Sequence, residues 1–310
     1  MENSGLHHRR QSVIATTRRL LTLDREAGAR AAARTAALAA ARLRSGEEHA
    51  EVLADHELCA AVAELLEVAA WILFDAEEQT LAHRLNQRAL ALSRRCEDRS
   101  TERLVLANLS MQEAHTGRLH TSFRTAATGL ETSPTARVAT VFAVRQARAL
   151  AMAGQRAAAL NAFDRAGSLF QEGLSEQDPP WAWWVDQSEL DGHRGFTLAA
   201  LQEWDKAIPL LRGATQVQAP GSPPYRVLFT TELFSALVNA GAWSEARDVA
   251  EQLMPHAGGI GSGRAVSALR HTIRTIQSRS GTPARLRDAA HQLAALLPPS
   301  ALLPLSNPPE

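Results

Sequence analysis

Small residues recur through this chain at a spacing that paired helices use. Turn-forming segments lie at Phe74-Asp75-Ala76, Thr116-Gly117-Arg118, Ala153-Gly154-Gln155, Leu201-Gln202-Glu203 and Ala240-Gly241-Ala242. About five residues beyond them come Ala82, Ser122, Ala159, Ala207 and Ala246. Seven residues further on stand Ala89, Gly129, Ala166, Ala214 and Leu253, and twelve before the first set stand Ala70, Ser110, Ala147, Gly195 and Phe234. Two helices approach closely only where their facing side chains are short. A second small residue two turns on lets the next helix pair dock. Phe163 and Leu211 fill the space between, with Asn86, Ala126 and Ala250 at the same place in the other units. Trp204 and Trp243 each precede the first small residue by three, where an aromatic ring can cover the turn.

The remaining pattern is helical as well. Leu6, Val13 and Leu20 recur every seven residues, and Gly28 separates that stripe from an alanine-rich helix running from about Ala29 to Leu43. No stretch alternates with period two. These observations predict an all-α fold, a right-handed superhelix of stacked hairpins with about 12 to 14 helices.

The third unit, Ala147…Gly154…Ala159…Phe163…Ala166, resembles the tetratricopeptide repeat, and Gly195…Trp204…Ala207…Leu211…Ala214 resembles it nearly as well. Successive small positions are 40, 37, 48 and 39 residues apart, longer than the roughly 34 of that family. Long loops absorb the excess, and the resemblance covers about 50–296. The stretches from Ala69 to Asp75 and from Trp181 to Leu190 look like the C-terminal repeat domain of actinobacterial helix-turn-helix regulators. That resemblance implies a regulatory role and a polypeptide ligand in the concave groove. The first 45 residues offer two helices without a recognition-helix arrangement, so specific DNA binding is not expected.

Composition agrees with a cytoplasmic protein that has no membrane partner. Lys+Arg and Asp+Glu balance at 33 each, which argues against a chain whose task is neutralising nucleic-acid phosphates. Lys206 is the only lysine, a bias that reads as a high-GC genome rather than as arginine chemistry. Cys59 and Cys96 form no C-x-x-C pair, and Cys59 reads as a small buried thiol. The N-terminus has no apolar signal-peptide segment, and the run Leu58 to Phe74 is short for a span and broken by Glu64 and Glu67.

Three parts follow: a basic, alanine-rich capping helix pair at 1–46, a repeat domain at 47–297, and a proline-rich tail at 298–310 that reads as disordered. The helical pattern breaks between Gly173 and Trp184, at Ala219–Pro224 and from His256 to Gly263, where Gly258–Gly263 reads as a flexible linker. Nine arginines against three acids in the first helix pair read either as a solvated capping face or as a contact for an acidic partner or nucleic acid.

The binding surface is expected on inner helices, where Asn108, Gln112 and His115 share a face, followed by Arg145 and Arg148 and then Asp186, Glu189 and His193. Trp181, Trp183 and Trp184 form either a second, aromatic groove or a structural seal. Asp186, Glu189 and His193 lack H-E-x-x-H spacing, so no metal or other cofactor is expected, and no residue is assigned a catalytic role. The favoured reading is a non-enzymatic sensor or interaction module binding a protein or peptide. The alternative is a catalytic or metabolite-binding protein of a biosynthetic pathway using the region Trp181–His193.

Overall fold

The computed structural model describes residues 2–44, 52–216 and 226–299. Among them are fourteen α-helices and no strand: α1 (Glu2–Ala27), α2 (Ala29–Ala41), α3 (His56–Asp75), α4 (Gln79–Arg95), α5 (Arg99–His115), α6 (Leu119–Glu131), α7 (Ala136–Met152), α8 (Arg156–Gln171), α9 (Gln187–Ala200), α10 (Trp204–Gln216), α11 (Val227–Ala240), α12 (Trp243–Leu253), α13 (Gly263–Ser278) and α14 (Ala284–Leu296). The chain divides into two compact units, residues 1–185 and 186–310. The helix pair α1–α2 packs on α3 within the first unit.

One turn is used six times, once between α4 and α5, where Glu97 has positive φ and Asp98 N–H donates to Ser93 O, and five times within helix pairs. Glu77, Gly117, Gly154, Gln202 and Gly241 all have positive φ, between 61° and 79°. The next residue in each case donates its N–H to a carbonyl five back: Glu78 to Leu73, Arg118 to Glu113, Gln155 to Leu150, Glu203 to Leu198 and Ala242 to Leu237. This left-handed C-terminal cap closes one helix and aims the chain straight into the next. The first turn therefore centres on Glu77, two residues beyond the middle of the Phe74–Ala76 segment that the sequence pointed to. At Glu77 and Gln202 a side chain occupies a conformation that glycine takes without steric cost.

Five of the helices that open a pair also start on a side-chain cap, α5 among them although its connection is as short as those within pairs. Asp55, Asp98, Thr135, Asp186 and Ser262 cap α3, α5, α7, α9 and α13, each side chain accepting from the backbone N–H three residues on.

Packing follows the small-residue positions. Ala82, Ser122, Ala159, Ala207 and Ala246 are each fully buried, as are Ala70, Ser110, Ala147 and Phe234. A Cβ added at Gly129 would stand 2.1 Å from the Phe142 ring, and one at Gly195 2.6 Å from Leu211 Cγ. Where both facing positions are serine, the hydroxyls interlock: Ser110 Oγ donates to Ser122 O at 2.9 Å and Ser122 Oγ to Ser110 O at 2.7 Å.

In the first unit each helix packs on the next, and α1, α3, α5 and α7 also touch one another in order. In the second, α9, α11 and α13 do the same. The last pair departs from this scheme, because α12 meets α14. Of the segment Gly258–Gly263 expected to be a flexible linker, the first two residues close a 3₁₀ turn, Met254–Gly259, packed against both α12 and α14, and 260–262 have no regular structure. The expected breaks at 219–224 and beyond 299 lie outside the described residues.

This register makes two stability predictions. Ala159→Leu overpacks the closest approach and should destabilise the fold by about 1–3 kcal/mol. Gln202→Gly relieves a left-handed side chain that is exposed to solvent and should stabilise by about 0.5–1 kcal/mol. Chemical denaturation of both variants checks the pair, and a reversed order would overturn the turn assignment.

Candidate functional site

Of the polar residues that share a face of α5, Asn108 and Gln112 do not line open solvent, whereas His115 is exposed. Asn108 is buried, and its Nδ2 donates to Glu67 Oε1 at 2.6 Å. Gln112 is completely enclosed. Its Nε2 donates to the backbone oxygen of Gln79 at 2.9 Å and to Gln79 Oε1 at 3.1 Å, while its own Oε1 accepts from Asn86 at 3.5 Å. Gln79 passes the chain on to Glu77 Oε2 at 2.9 Å. That same oxygen lies 3.1 Å from His115 Nε2, and the His115 ring stands edge-on to Phe74 at 5.5 Å. Buried amides thus bond to one another across three helices, while Asn86 Oδ1 is left without a hydrogen-bond partner. Beside them the Arg118 guanidinium lies against both nitrogens of His83, at 3.4 and 3.3 Å. Burial and then the Arg118 charge hold that imidazole below its usual pKa.

Carboxyl groups concentrate on the inner helices of this unit. Burial pushes Glu67 up to about 8, nearby Glu64 adds to the rise, and the Asn108 hydrogen bond opposes it. The Glu67 side chain is therefore a neutral acid at pH 7. Burial, and then Asp75, raises Asp24 to about 6 against a hydrogen bond from Trp71. Glu113 is also raised by burial, against a 2.8 Å bond from the Thr125 hydroxyl.

On α7, Arg145 is buried and Arg148 half-buried. The tryptophans divide by role. Trp181 Nε1 donates to Ser100 O at 3.2 Å, and Arg137 clamps Val185 O at 2.7 Å, so the segment after α8 is strapped across the starts of α5 and α7. Trp184 is half-buried, while Trp183 is 64% exposed.

In the second unit, Asp186 accepts from Glu189 N at 2.8 Å and pairs with Arg226 at 2.7 Å. Glu189 is buried between His193 Nε2, at 3.2 Å, and Arg226 Nε, at 3.7 Å. His193 stands edge-on to Phe196 and Phe229 at 5.6 and 6.1 Å. These four polar groups form an internal cluster that ties the start of α9 to α11. Among the described residues no three His, Cys, Asp or Glu side chains are placed to hold a metal ion. No described helix is long and apolar enough to cross a membrane.

Sequence reasoning missed Glu67, Glu77, Gln79 and Arg226 as members of these clusters. For Glu67 a signal existed: it is one of two carboxyls inside the apolar run Leu58–Phe74, flanked directly by Leu66 and Val68. The accessible side chains of α5 and α7 include half-exposed Leu104, Met111 and Arg148, exposed His115, and Met152, which is 38% exposed. Compared with known proteins, the chain matches no family model and no curated sequence.

The raised carboxyls set a pH dependence. The folded state holds protons on Glu67 and Asp24 that the unfolded chain releases above about pH 4. Stability is therefore full below that range and falls as pH rises through about 6 and then about 8. Urea unfolding followed by tryptophan fluorescence should show the first unit weakening between about pH 5 and 8.5. Glu67→Gln should flatten most of that slope, and a slope of opposite sign would refute the assignment.

Proposed function

We propose that this chain is a non-enzymatic interaction module with a tetratricopeptide-like repeat architecture, binding a polypeptide along the inner helices of its first unit. One observation carries the reading. The helices α3, α5 and α7 pack directly on one another, whereas α4, α6 and α8 make no comparable contact among themselves. Helices closer on one side than on the other curve an array and turn its inner layer into a continuous surface.

The chemistry of that surface differs from the simple polar groove read from the sequence. Asn108, Gln112 and Arg145 serve as internal supports. The accessible strip of Leu104, Met111, His115 and Arg148 combines apolar contact with one fork-shaped donor. Met111 supplies an adaptable side chain, and Arg148 can pair a carboxylate or two carbonyls. The reading of the sequence as a bacterial regulatory protein belongs with this proposal, as does the cytoplasmic location. The catalytic alternative would use Glu189 and His193, whose side chains pair with each other at 3.2 Å while Glu189 also lies 3.7 Å from Arg226 Nε.

The test separates support from contact. Met111→Ala with Arg148→Ala should reduce capture of polypeptide from native cell extract severalfold and leave the melting temperature nearly unchanged. Arg145→Ala should lower the melting temperature instead, because it truncates a buried side chain. Undiminished capture by the first variant would remove the inner strip as the binding surface. A duplex-DNA gel shift surviving excess competitor would replace the module reading with a nucleic-acid one.

A further inference from the structure

Two surface patches in the first unit carry opposite charge and share an apolar component. On α1 and α2 the exposed Leu21, 47% accessible, lies between exposed Arg18 and Arg25, and exposed Leu38, 53% accessible, lies between exposed Arg34 and Arg42. The spacings, three or four residues to either side, put each leucine and its arginines on one helical face. Exposed Arg19 adds to the field, and no acidic residue occurs from Ala27 to Ser45. The second patch is the strap after α8. Leu174 and Trp183 are 75% and 64% exposed, the two most accessible large apolar side chains among the described residues. Glu172 and Glu176 are exposed beside Leu174 in sequence, Asp178 follows, and no arginine or lysine occurs between Arg165 and Arg194. Trp181 and Arg137 anchor the strap at both ends of its 3₁₀ turn, so Trp183 is presented on a fixed segment.

We propose that the basic, leucine-bearing face of α1–α2 in one copy of this chain docks on the acidic, tryptophan-bearing strap of a second copy. Charge and apolar content are complementary in both directions, whereas nucleic acid would answer the arginines and leave Leu21 and Leu38 in water. The two patches do not meet within one copy. Helix α2 packs on α1 and α3, the strap is tied to α5 and α7, and the hairpin α3–α4 lies between them in the packing order. A contact between unlike patches is head-to-tail, so it builds a ring or an open chain of copies. Balanced total charge, 33 of each sign, leaves no net repulsion to oppose it.

Charge-swap complementation tests this contact on the full chain. One variant carries Arg34→Glu with Arg42→Glu, the other Glu172→Arg with Glu176→Arg. Sedimentation velocity should show the wild type associating at about 50 mM salt and dissociating at about 500 mM. Each variant alone should associate at least about tenfold more weakly at low salt. An equimolar mixture of the two should associate again, because the reversed hairpin of one meets the reversed strap of the other. The proposal fails if the wild type stays monomeric up to about 200 µM at low salt, if either variant associates like wild type, or if the mixture stays monomeric. Circular dichroism checks each variant for fold. If a reversal variant loses helix, Leu38→Ser and Trp183→Ser replace it, and wild-type association of both would equally overturn the contact.

Discussion

The close approach of helix backbones at five fully buried small residues is the contact on which the rest of this structure rests. Each of Ala82, Ser122, Ala159, Ala207 and Ala246 sits five residues past a left-handed turn residue. Turn and contact are therefore one constraint: the cap aims the second helix, and the small side chain lets it reach the first. Neither suffices alone. A tight cap followed by a bulky residue would splay the pair, and a small residue after a loose loop would have no fixed partner. Because the same geometry recurs, the inner helices meet in order, and their side chains form one layer within each unit.

That layer explains the polar chemistry. A helix surrounded by four neighbours has only a narrow solvent-facing edge, and most of its amides and carboxyls fall inside. Gln112 and Asn108 must find partners inside, and they do so on Gln79, Asn86 and Glu67. A carboxyl enclosed in this way gives up its charge rather than its position, as Glu67 does. The inner layer is thus less a polar channel than a frame of neutral hydrogen-bonded groups with a narrow accessible edge.

The all-helical fold was legible because small residues at a fixed spacing mean the same thing wherever they occur. Glycine marks three of the six left-handed turns; those at Glu77 and Gln202 are placed only by counting back from Ala82 and Ala207, and the one at Glu97 falls outside that spacing. The candidate site was much less legible. Periodicity puts Asn108, Gln112 and His115 on one face of α5, but it cannot say what covers that face. Gln112 proves fully enclosed, while His115, one turn later, lies at the exposed end of the same helix. Arg145 and Arg148 divide in the same way on α7. Partners distant in sequence, such as Arg226 for Glu189, leave no local trace.

The serine pair between α5 and α6 has a consequence for how this sequence can change over time. Ser110 and Ser122 each donate to the other's backbone carbonyl, in the place where the neighbouring hairpin uses alanine at both positions. Alanine at both positions would preserve the shape with no hydroxyl left to satisfy. Alanine at one position leaves the other serine's donor satisfied, because that donor goes to a backbone carbonyl which alanine keeps. The serine and alanine versions of the hairpin are therefore joined by single steps. Each site can drift between the two residues without waiting for the other.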